Sequence, residues 1–101
     1  MLKAVFYKRD DGFSGFSVSG HAGYGTEGND IVCAAITSAV ELTCNTITEF
    51  FGAAASVDVF ENEVRLTLKE ESVPARQLLA SLHAHIGYIA QEHSKIKLEI
   101  K

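Results

Sequence analysis

A histidine, a set of glycines and a cysteine lie close together in Gly20-His21-Ala22-Gly23-Tyr24-Gly25-Thr26-Glu27-Gly28-Asn29-Asp30-Ile31-Val32-Cys33. A thiol attacks as its thiolate, and helix N-terminal amides or a nearby imidazolium both favour that form. Cys33 stands at the head of a long apolar segment. The sequence therefore predicts a helix capped by Asn29 or Asp30, with Cys33 in its first turn. The unpaired N–H groups of such a helix end can also hold the oxyanion of an attacked carbonyl. His21 closes a strand-like run twelve residues before the cysteine. Base, nucleophile and anion hole within one short stretch describe a cysteine hydrolase, with Cys33 as nucleophile and His21 as general acid/base.

The neighbouring residues have competing readings. Asp30 reads first as a helix cap and second as a group that orients His21, the third member of a triad. Thr37 follows Cys33 by one turn on the same face; its hydroxyl either serves the site or bonds back to a helix carbonyl. Gly23-Tyr24-Gly25-Thr26-Glu27-Gly28 fits the GxGxxG pattern of dinucleotide sites. However, His21 and Ala22 separate it from the strand, and Glu27 and Asp30 would repel phosphate. The better reading is a mobile lid whose Gly23, Tyr24, Gly25 and Gly28 meet a peptide substrate, with Tyr24 packing on it. His83 and His85 do not share a helix face and lack a third ligand, so neither a metal nor another cofactor is expected.

Cys33 and Cys44 fall in one helical segment about 16 Å apart at the usual rise per residue, too far for a disulfide. Cys44 sits beside Val40 and Ile47 and reads as core. Upstream, Leu2–Arg9 and Phe13–Ser19 form a hairpin across Asp10-Asp11-Gly12. The first helix, about 30–51, ends at Gly52. It is apolar nearly all round and should be central and buried on more than one side. Ser56–Phe60 and Glu63–Lys69 form a second hairpin across Glu61-Asn62. A second helix begins near Ser72-Val73-Pro74, and Lys95–Lys101 is a final edge strand. This is one α+β domain spanning 1–101 in ββαββαβ order, with a mixed or antiparallel five-stranded sheet and two helices.

With 47% hydrophobic residues and one proline in 101 residues, the chain is a folding domain rather than a disordered one. No leader or membrane-length run stands out, and two free thiols suit a reducing compartment, so a cytoplasmic location and no membrane partner are expected. The net charge is −4, and no Lys or Arg occurs between Arg9 and Arg65. The segment holding the site is therefore acidic, attracting basic partners and repelling nucleic acid.

The paired elements Gly20-His21-Ala22-Gly23 and Gly28-x-Asp30-Ile31-Val32-Cys33-Ala34-Ala35 closely resemble the signature of the bacterial ribosomal-processing cysteine proteases, the Prp or YsxB-like family. Chain length and element order agree with that family throughout. The resemblance implies His21, Cys33 and Asp30 as the catalytic set, and it implies Thr37 where the family commonly has serine. It further implies a homodimeric endopeptidase that removes the N-terminal extension of a basic large-subunit ribosomal protein during ribosome biogenesis. The alternative is a non-catalytic ribosome-assembly module that holds a basic peptide on an acidic face.

Overall fold

The computed structural model describes residues 2–20 and 27–101, with the backbone alone for 27–30. The elements run β1 (Leu2–Arg9), β2 (Gly12–Gly20), α1 (Glu27–Asn45) continuing into a π-helical turn (Thr46–Phe50), β3 (Ala55–Phe60), β4 (Glu63–Leu68), α2 (Val73–Glu92) and β5 (Ile96–Ile100). The expected ββαββαβ order is observed, with a mixed five-stranded sheet in the order β3-β4-β2-β1-β5. The β1–β2 hairpin turns at Asp10, whose φ of 57° is the left-handed conformation such a tight turn needs. β2 pairs antiparallel with β4, while β5 pairs parallel with β1 at the sheet edge.

Alternation along the strands divides the sheet into a dry face and a wet one. Leu2, Ala4, Phe6, Phe16, Leu66 and Ile96 point into the core, where the helices cover them. The opposite face carries charge pairs: Lys97 lies 3.2 Å and Lys3 4.0 Å from Glu99, and Arg65 lies 2.7 Å from Glu63. α2 is started by side chains as well as by pattern. Its Ser72 hydroxyl accepts the Ala75 N–H at 3.3 Å, and Pro74 occupies the first turn, where its missing N–H costs nothing.

Two expectations for α1 need correction. The helix starts at Glu27, so Asn29 and Asp30 lie inside it rather than capping it. Carboxylates in a first turn are favoured by the helix dipole, and that preference competes with their capping propensity. Second, α1 is central but buries one face only: Val32, Ile36, Val40, Thr43, Cys44 and Ile47 are buried. Ile31 and Leu42, on the opposite face, are 68% and 69% exposed. Small residues such as Ala34 and Ala35 raise apolar content without requiring burial. Ile31–Phe50 also proves long and apolar enough to cross a membrane by length and composition, with mean hydropathy 1.4. Its buried stripe, however, is committed to this core. The helix ends as its glycine predicts: Gly52 adopts φ 62°, which lets the Ala53 N–H reach the Ile47 carbonyl at 3.1 Å.

Candidate active site

Cys33 is half-buried and lines a cavity of about 270 Å³ between α1 and the β3–β4 turn. The helix brings three side chains there at intervals of four residues, Cys33, Thr37 and Glu41, along a flank between its buried and exposed faces. The sheet supplies Val18 and Gly20 from β2, and Val59 to Val64 close the opposite wall. Gly20 ends β2 with φ 84°, and its N–H donates to the Asn62 carbonyl at 3.0 Å. That bond fastens the β3–β4 turn to the point where the chain leaves the sheet toward His21.

Of the residues expected from the sequence, Cys33 and Thr37 meet at this cavity. His21, Gly23, Tyr24 and Gly25 lie outside the described residues, as do the side chain of Asp30 and residues 22–26 of the lid expected over 22–29, whose remaining residues 27–29 are helical. Gly28 has its backbone in the first turn of α1 rather than in a lid. The early start of α1 makes Cys33 its seventh residue, in the second turn rather than the first. The helix N–H groups without an intrahelical partner all lie before Asp30, and the dipole's influence fades beyond the first turn. A nucleophile at this position would therefore need a base more than the helix end.

Thr37 departs from its neighbours. Thr43, Thr46 and Thr48 donate to the carbonyls four residues back at 2.8, 2.7 and 3.0 Å. Among the described residues the Thr37 hydroxyl has no such partner, which leaves it available to the cavity. Cys44 is a different kind of thiol. It is 7% exposed, and burial, with a smaller contribution from the Glu41 charge, pushes its pKa up to about 11. A protonated thiol in the core is not a nucleophile.

The cavity wall from Val59 to Val64 escaped the sequence analysis. The β3–β4 turn was visible in the alternation, but nothing local ties it to Gly20. The connection comes from the β2–β4 register, in which Ser19 faces Glu63 and Val18 faces Val64. A larger cavity of about 310 Å³ opens at the other end of the β1–β2 hairpin, lined by Lys8, Phe13, Val73 and Arg76. No cysteine, serine or threonine is among its described lining residues, and its Arg76 guanidinium is paired with Asp11 at 2.7 Å and Glu71 at 3.1 Å. His83 packs against the Phe6 and Phe13 rings, with centroids 5.1 and 5.2 Å away, so it is a core aromatic partner.

The family model for the cysteine protease Prp matches residues 1–97. The chain belongs to the Prp family. It is thus a cysteine protease, and the expectation drawn from the Gly-His-Ala-Gly and Asp-Ile-Val-Cys elements holds. The fold agrees with solved structures of this kind. The essential ribosomal processing protease Prp from S. aureus, solved with a covalently linked product peptide, superposes with a TM-score of 0.90 at 20% identity over 100% of both chains. The same protease with a substrate peptide gives 0.90 at 19% identity, again over 100% of both chains. SMU.848 from Streptococcus mutans gives 0.84 at 22% identity, covering 100% of this chain and 96% of that one. Among curated proteins no match to this sequence is found.

Proposed function

We propose that this protease is an endopeptidase that removes the N-terminal extension of a basic large-subunit ribosomal protein in the cytoplasm, using Cys33 as nucleophile. The observation that carries the proposal is the shared cavity: Cys33 and Gly20, the residue preceding His21, line one space large enough for several peptide atoms. His21 removes the thiol proton, and the sulfur attacks the scissile carbonyl carbon. The C–N bond then breaks as His21 protonates the leaving amine. Water, deprotonated by the same imidazole, hydrolyses the acyl-thioester and restores the thiol. Asp30 orients His21, and Thr37 offers a hydroxyl to the bound peptide. Gly23, Tyr24, Gly25 and Gly28 contact the substrate backbone.

Two further features support the reading. The S. aureus relative is seen in complex with a substrate peptide and with a covalently linked product peptide. The site also stands in an interval without Lys or Arg, which suits a basic substrate. The active form is proposed to be a homodimer, consistent with the uncovered apolar stripe of α1. The direct experiment incubates the protein with the extended ribosomal protein of its own organism and reads the products by mass spectrometry. Loss of the extension with wild type but not with Cys33→Ala is expected. An intact substrate under conditions where Cys33 still alkylates would reject this substrate assignment.

A further inference from the structure

Glu41 is out of place in the wall it belongs to. Apart from Gly20, Thr37 and the β3–β4 turn, the cavity beside Cys33 is walled by Leu2, Val18, Val40, Val59 and Val64, yet α1 also places a carboxylate there. Glu61 joins it from the facing turn. Glu63, also in the turn region, sends its carboxylate to the opposite face of the sheet, where it accepts the Ser17 hydroxyl at 2.7 Å and the Arg65 guanidinium at 2.7 and 3.1 Å. Glu41 and Glu61 have no ion-pair partner among the described residues, and no Lys or Arg lines the cavity there. Two uncompensated carboxylates, one from α1 and one from the facing turn, on a largely apolar cavity that Cys33 also lines, are complementary to a long cationic side chain. Its methylenes would lie against the valines while its head group meets both charges.

We propose that Glu41 and Glu61 form a specificity subsite for a Lys or Arg side chain of the peptide substrate. This deepens the protease reading above and rests on it. The spacing sets the register. Glu41 follows Cys33 by eight residues, about 12 Å along the helix axis. An extended peptide covers about 3.3 Å per residue. The recognised cation therefore lies three to four residues from the scissile bond.

The test uses synthetic peptides spanning the cleavage junction of the organism's own ribosomal protein. The positions three and four residues to either side are set in turn to Lys, norleucine or Glu. Affinity is measured by fluorescence anisotropy with Cys33→Ala, and kcat/KM with wild type. Lys at one of these positions should bind about fivefold more tightly than norleucine at low salt, the upper range for a solvent-accessible ion pair, and the preference should shrink as salt rises. Adding Glu41→Gln should bring the Lys-to-norleucine ratio near one, and Glu41→Lys should favour the Glu peptide instead. Melting curves would show that these exposed-site variants fold. Equal affinity for Lys and norleucine at every position, or a ratio that survives both Glu41→Gln and Glu61→Gln, overturns the subsite. A Lys preference in Cys33→Ala with no cleavage by wild type upholds the subsite and removes the cleavage assignment for that junction.

Discussion

Cys33 and Cys44 share a helix but not an environment, and their chemistry should differ accordingly. Iodoacetamide at neutral pH should label Cys33 in the folded protein and leave Cys44 unmodified until denaturant is added, as peptide mapping would show. Cys33→Ala should lower cleavage by about 10³-fold or more with the fold retained, since triad-type nucleophiles have no substitute; residual turnover near wild type would mean that another residue attacks. Cys44 also links stability to alkaline pH. Its thiol is raised to about 11 in the fold, above the ordinary cysteine value. Between about pH 9 and 11 the unfolded chain thus loses a proton that the folded chain keeps, and stability falls as pH rises. Cys44→Ala should flatten that part of the denaturation profile while lowering stability at pH 7 through the small void it leaves. A profile identical to wild type would show that Cys44 does not titrate differently on unfolding. Residue types alone separated these two thiols, because one follows a glycine loop and the other sits among valine and isoleucine. They could not show that Thr37 lacks the carbonyl bond its helix-mates make, since that depends on a side-chain rotamer.

Among the elements, the two hairpins were readable because alternation and turn residues are local signals. The start of α1 was not, because Asn29 and Asp30 are good caps and equally acceptable first-turn residues, and tertiary packing decides between those roles. Gly15 shows a demand that the sequence leaves unstated. It sits opposite Thr67 in β4, next to the register shift between Tyr7 and Lys8, and a Cβ there would collide with the Leu66 carbonyl oxygen. That oxygen is backbone and cannot move aside without disturbing the β2–β4 ladder. Gly12, in contrast, faces the guanidinium of Arg76, the far end of a flexible side chain. Gly15→Ala should therefore cost about 1–3 kcal/mol, in the range of overpacking substitutions, and lower the melting temperature by several degrees. Gly12→Ala should cost clearly less. Equal losses in a chemical-denaturation comparison would show that the sheet relaxes around position 15.

For the molecule as a whole, the hydrophobic pattern predicted a sheet covered by helices but not the strand order, because β2–β4 and β1–β5 pairings join segments far apart in sequence. It also overstated the burial of α1, and what remains uncovered has a consequence for assembly. Ile31, Ala35, Ser38 and Leu42 fall within about 60° around the helix and are exposed, opposite the stripe that contacts the core. Large apolar side chains at 68% and 69% exposure on one stripe are costly in water and gain by association. If two copies pack through this stripe, sedimentation velocity at micromolar concentration should give a dimer. Leu42→Glu should shift it toward monomer without loss of the folded core, since Leu42 contributes none of the core's buried residues. Cleavage by Leu42→Glu, read at concentrations above and below the new dissociation constant, then asks whether the dimer matters for the site. A wild-type monomer across the whole range would remove the homodimer from the proposal while leaving the Cys33 chemistry untouched, because Leu42 and Cys33 face different sides of α1.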